Sequence, residues 1–145
     1  MSKPQERRKA RQFAVQALYS WQLNHQPAQE IELAFFEEPE FKTCDATYFQ
    51  TLLRGAIDQC DELDATLKPH LHLPIAEVDP IELSVLRMAT YELKFRLDVP
   101  YRVVINEALE QAKTFGATDG HKFVNGVLDK LARSLRSAEV NAPRR

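Results

Sequence analysis

Asp79-Pro80-Ile81-Glu82-Leu83-Ser84-Val85-Leu86-Arg87-Met88-Ala89-Thr90-Tyr91-Glu92-Leu93-Lys94-Phe95 is the stretch on which the fold turns. It begins with a capping-box-like start: Asp79 suits the N-cap, Pro80 the first helical position, and Glu82 follows three residues after the cap. Leu83, Leu86, Ala89 and Leu93 fall on one face, while Ile81, Val85, Met88 and Phe95 fall on nearly the opposite one. A helix that is apolar on two sides must be covered on two sides, so this one is predicted to be central and buried. Glu82 and Arg87 interrupt its apolar surface. Such charges are either paired inside the protein or placed in a protein interface, and the sequence leaves both open.

Period 3.6 continues outward in both directions, and no segment alternates with period 2. Downstream, Asp98-Val99-Pro100 ends the central helix. A sixth helix is predicted from about Arg102 to Phe115, with Val104, Ile105, Ala108, Ala112 and Phe115 inward and Gly116 as a left-handed stop. A seventh starts near Thr118 or Asp119 and packs Val124, Val127, Leu128, Leu131 and Leu135; the tail from Ser137 to Arg145 reads as frayed. Upstream, a first helix opens at Pro4 and runs to about His25, with Ala14, Ala17, Leu18 and Trp21 as its stripe. A second covers Ala28 to Glu38, with Ile31, Ala34 and Phe35 inward and Pro39 closing it. Asp45 caps a third, whose long, regular stripe from Phe49 to Leu67 bends or breaks somewhere before Pro69, giving a separate short fourth helix. The reading is one all-α domain over residues 1–145, of about seven helices around a central buried one.

Composition narrows the function classes. Four glycines among 145 residues are too few for a β-sandwich or barrel, or for a loop that cradles phosphate. There is no GxGxxG, GxxxxGK[ST] or GxSxG sequence. The four histidines and two cysteines form no zinc-ligand spacing, and Cys60 sits in an apolar stripe as a small hydrophobe. Glu107 and Glu110 read as a solvated helix face. Neither catalysis nor a cofactor is therefore expected. The start of the chain has no apolar run after its charges and no segment long enough to span a bilayer, so a cytoplasmic protein without a membrane partner is expected.

The net charge of −2 conceals an asymmetry. Residues 1–12 carry Lys3, Arg7, Arg8, Lys9 and Arg11 against Glu6, a local +4, whereas residues 28–64 carry a local −8. Cations at a helix N-terminus oppose its dipole, so stability alone would not select them. Arg7 and Arg11 continue the line of the first helix's apolar stripe. Either this end projects past the core toward an anionic partner, or it is an ordinary solvated terminus; on the first reading, removing its arginines leaves folding intact. Phe123 lies at the edge of the seventh helix's buried face, beside Asp119, His121 and Lys122. It is either a core-rim ring or a platform for an unpaired base, with a cation to hold phosphate.

Several segments in register resemble one known family. Ala10-Arg11 with Ala14-Val15-Gln16-Ala17-Leu18-Tyr19-Ser20-Trp21-Gln22, and Val85-Leu86-Arg87-Met88-Ala89-Thr90-Tyr91-Glu92-Leu93, are similar to segments of the NusB family of bacterial transcription antitermination factors. So are Val99-Pro100 through Ile105-Asn106-Glu107-Ala108, Ala112-Lys113-Thr114-Phe115-Gly116, and Lys122-Phe123-Val124-Asn125-Gly126-Val127-Leu128-Asp129-Lys130-Leu131. Residues 28–47 are the least similar part. The resemblance implies an all-α fold of two packed helical subdomains. It implies a protein that pairs with the ribosomal protein NusE on single-stranded boxA RNA of nascent transcripts, notably from ribosomal RNA operons, and joins RNA polymerase with other Nus factors. Arg7, Arg8, Lys9, Arg11, Tyr19, Asp119, Lys122 and Phe123 become RNA-site candidates, and Glu82 and Arg87 candidates for the NusE face. Gly120 departs from the family's pattern and implies a more flexible loop before Lys122. Two other readings stand beside this one: a purely protein-binding helical adaptor, and an accessory domain of the kind attached to ribosomal RNA methyltransferases. Self-association of the free protein through its RNA surface is left open.

Overall fold

A computed structural model describes residues 3–143, and among these every regular element is helical. Eight α-helices are present: α1 Pro4–Asn24, α2 Ala28–Phe36, α3 Ala46–Asp58, α4 Cys60–Leu67, α5 Pro80–Phe95, α6 Tyr101–Phe115, α7 Gly120–Leu135 and α8 Ser137–Val140. Short 3₁₀ turns over residues 39–43, 68–70 and 75–77 join them. The central position expected of the Asp79–Phe95 segment is what α5 occupies, packed against α1, α3, α4, α6 and α7. Its start is held by the Asp79 carboxylate, which accepts from the Ile81 and Glu82 backbone N–H groups at 3.0 Å each. Leu83, Leu86, Ala89 and Leu93 are buried, and so are Val85 and Met88 on the other side; Phe95 is 40% exposed at the end. α3 and α4 cover one side of α5, with α2 laid against α1 and α3; α6 and α7 cover the other side, and α1 runs along α5 in contact with α3 and α6.

The boundaries differ from the sequence reading where local chemistry intervenes. α2 stops at Phe36, and Pro39 opens the next 3₁₀ turn rather than closing the helix. Ala34 is exposed; Glu32 is buried instead, gripped by Arg54 through hydrogen bonds of 2.7 and 2.8 Å. The break between α3 and α4 falls at Gln59. Cys60 is only half-buried, as is Cys44. Gly116 ends α6 in an extended conformation, φ −91°, not a left-handed one. The tail is not frayed from Ser137: Arg136 is buried, donating to the backbone carbonyls of Glu92, Leu93, Arg96 and Val99 and to the Glu139 carboxylate. Glu139 also accepts from the Tyr101 backbone N–H, so α8 is pinned beneath the turn between α5 and α6. Arg144 and Arg145 lie outside the described residues.

Candidate nucleic-acid interface

Three of the cations near the start of α1, Arg8, Lys9 and Arg11, are held by carboxylates of the protein. Arg11 is 2% exposed, and its guanidinium grips Glu92 of α5 with two hydrogen bonds of 2.8 Å. Burial pulls that guanidinium's pKa down, but the Glu92 hydrogen bonds and charge outweigh it and hold the group above its ordinary value. Tyr48 of α3 donates to the same carboxylate at 2.5 Å; burial and the neighbouring carboxylate push its phenol well up. Arg8 makes a bidentate pair with Glu107 of α6, at 2.7 to 3.2 Å, and Lys9 meets Glu40 at 2.6 Å. Glu107, expected on a solvated face, is 8% exposed because it holds Arg8 and faces Arg11 at 3.6 Å. Arg11 therefore has a structural partner, and the premise that the arginines leave folding untouched does not hold for it.

Arg7 is the exception. Its guanidinium lies 4.2 Å from the centre of the Tyr48 ring, with those of Arg96 at 5.0 Å and Arg11 at 5.3 Å. Arg11, Arg8 and Arg96 each have a bidentate carboxylate, the last being Asp98 at 3.0 Å. That grip holds the Asp98 carboxyl down at about 2. Arg7 has no carboxylate within ion-pair distance among the described residues, and its Nε is buried without a hydrogen-bond partner. It borders a cleft of about 820 Å³, walled by Pro4, Gln5, Asp45 and the Asp98–Val103 turn.

A second feature surrounds the start of α7. Phe123 is half-buried at the edge of the helix, as its phase predicts, with the His72 ring edge-on at 5.4 Å and 83°. Lys122 and Asp119 are both exposed and 3.4 Å apart, a solvated pair worth little. Phe123 and Lys122, with Pro69–His72, Gly126, Val127 and Lys130, border a hollow of about 260 Å³. Gly120 is no flexible link. It is the buried first residue of α7, and a Cβ there would stand 2.5 Å from Glu82 Oε2. The missing side chain lets the Glu82 carboxylate lie against the positive end of α7. Burial, and Asp79 beside it, raise the Glu82 pKa.

Glu82 and Arg87 do not pair with each other. Arg87 is 9% exposed, pairs bidentately with Asp64 of α4 at 2.8 and 2.9 Å, and donates to Gln22 Oε1 at 3.0 Å. Arg87 borders a cleft of about 550 Å³ with Trp21, Cys60 and Asp61. Tyr19 is half-buried on α1. Because Arg11 meets Glu92 while Gln22 meets Arg87 and the Pro80 carbonyl, α1 runs antiparallel to α5. The α1 cations therefore sit at one end of α5, and Phe123 with Lys122 near Glu82 at the other, about 15 Å apart along ten residues of helix. Tyr19 lies toward the second end. Sequence reasoning missed Tyr48, Glu92, Glu107, Arg96 and Asp98. Glu92 had a signal: it shares a phase with Val85 and Met88, so it is a carboxylate in a buried position that needs a cation.

Fold and surface together define a class: an all-helical protein with cations clustered at the start of α1 and a half-buried aromatic ring at the start of α7. The sequence pattern of the NusB family matches residues 8–133. The chain is 56% identical to the transcription antitermination protein NusB of Pseudomonas fluorescens over 99% of its length and 87% of that protein. It is 57% identical to that of Shewanella amazonensis over 89% and 96%. Thermotoga maritima NusB superposes with a TM-score of 0.79 at 30% identity, covering 92% and 93% of the two chains. A chain from the crystal structure of antitermination factors NusB and NusE in complex with dsRNA gives 0.75 at 25% identity, over 91% and 99%. The chain belongs to the NusB family.

Proposed function

We propose that the chain acts in transcription antitermination by binding, without catalysis: together with NusE it holds single-stranded boxA RNA of nascent transcripts, notably of ribosomal RNA operons, and joins RNA polymerase and the other Nus factors. The observation that carries this reading is Arg7, a guanidinium stacked on Tyr48 with no carboxylate of its own among the described residues, at the cationic end of α1. Family membership and a relative solved with NusE and RNA support the partners. Arg7, Arg8 and Lys9 contact phosphates; Arg11 sets their position from inside. Tyr19 and Asp119 lie along the path to Lys122 and Phe123, which hold a phosphate and a base. Glu82, beside the start of α7, faces NusE, with Arg87 fixing the neighbouring wall. A mildly acidic protein with one cationic end binds RNA weakly alone, and a partner extends the surface. A gel shift with boxA-type and scrambled RNA, with and without NusE, tests this. The expected result is a shift that favours boxA and strengthens with NusE; no RNA shift in either condition would leave only the protein-binding adaptor.

A further inference from the structure

We infer that the cleft between the start of α1 and the Asp98–Val103 turn is a nucleotide-sized site: it takes one unit of a single-stranded RNA, with the phosphate on Arg7 and the base against Val99, Pro100 and Val103. The inference rests on the proposed function and adds a site to it. Charge pairing points to the phosphate. Arg8, Arg11 and Arg96 are each matched by a bidentate carboxylate, whereas among the described residues Arg7 has none and keeps a buried N–H without an acceptor. Stacking on Tyr48 fixes where that fork lies, and a guanidinium fork matches phosphate geometry. Glu107 and Asp98 also border the cleft, but each is engaged by an arginine, and the Asp45 carboxylate accepts from the Tyr48 backbone N–H.

Shape points to the base. The far wall is apolar: Val99, Pro100 and Val103, the last a large aliphatic side chain that is 41% exposed. A cleft of about 820 Å³ is in the range that holds a nucleotide-sized ligand. Gln5, at the rim, offers an amide to a base edge. A phosphate-only contact would need no such wall, and an apolar peptide would leave the Arg7 donor unsatisfied.

The test is photocrosslinking of the full chain with NusE to a boxA-type strand carrying 4-thiouridine at one position at a time. Trypsin separates Leu97–Arg102 from Val103–Lys113, so a crosslink in the cleft is read by mass. The expected result is one strand position that crosslinks to these two peptides. Arg7→Ala and Val103→Asp should each lower that crosslink at least about fivefold, the low end of a lost base contact. Arg7→Lys should restore part of it, and Val103→Asp, at an exposed position, should keep the wild-type melt. Crosslinks confined to the Phe123 end, with RNA binding intact, would overturn the cleft while leaving the proposed function standing. A free mononucleotide that abolishes the crosslink while the strand stays bound would overturn it too, by making the cleft a small-molecule site. Absence of all RNA binding would remove both.

Discussion

Arg8 and Arg11 are one turn apart on α1 and have different fates. Arg8 is 58% exposed at its side chain, and its pair with Glu107 is worth at most about 1 kcal/mol. Arg11 and Glu92 are at 3% and 1% exposure, so removing either leaves a charge in the core. Arg11→Ala is expected to cost about 3–5 kcal/mol in chemical denaturation, and Arg8→Ala no more than about 1. Equal effects would show that the buried pair is not what holds this end of α1. Part of this is legible in the sequence: Arg11 continues the apolar stripe of α1, whereas Glu92, though it shares the phase of Val85 and Met88, was missed. What one helix's phase could not say is which carboxylate meets which guanidinium, because α1, α3, α5 and α6 converge there only in three dimensions. Glu107 shows the same limit. Its phase looked exposed until Arg8 covered it. The thiols give a residue-scale check of burial: burial, then Asp45, pushes Cys44 up to about 11 from 9.0, so its thiolate at pH 7.5 is about a hundredfold scarcer. Alkylation of native Cys44 should be correspondingly slower than in the unfolded chain; equal rates would mean that the site opens freely.

α5 carries the fold, and both of its ends are fastened. Asp79→Ala removes a cap that serves two backbone donors and should cost about 0.5–2 kcal/mol. At the other end Arg136 satisfies the carbonyls of Glu92, Leu93, Arg96 and Val99 from within the core. Arg136→Ala is expected to cost more than about 3 kcal/mol, since several buried acceptors lose a charged donor together. A loss below about 1 kcal/mol would show that water replaces it. The first clamp was readable as a local Asp-Pro-x-Glu pattern. The second was not, because Arg136 and its acceptors are about forty residues apart and nothing local marks the tail as anchored. Gly120 was misread for a related reason. A glycine before a helix suggests slack, yet this one is where Glu82 of another helix makes its closest approach to α7.

On the scale of the whole molecule the proposed RNA track runs from the cations of α1 to Phe123, along the side where α1 and α5 lie antiparallel. Its two ends should respond differently to change. Phe123 offers a ring and no charge, so Phe123→Ala is expected to lower affinity about 5- to 150-fold with the salt dependence unaltered. The arginine end should behave in the opposite way, since each phosphate neutralised on a single strand contributes about −0.7 to the log–log salt slope. The deciding measurement is a salt titration of boxA-type RNA binding by fluorescence anisotropy, with NusE present, for the wild type and for Arg7 and Arg8 both changed to Ala. Two lost phosphate contacts should flatten the slope by about 1.4 and weaken boxA and scrambled RNA alike. A folded double variant with the wild-type slope would contradict the account, because the cationic end of α1 would then not be where RNA is held.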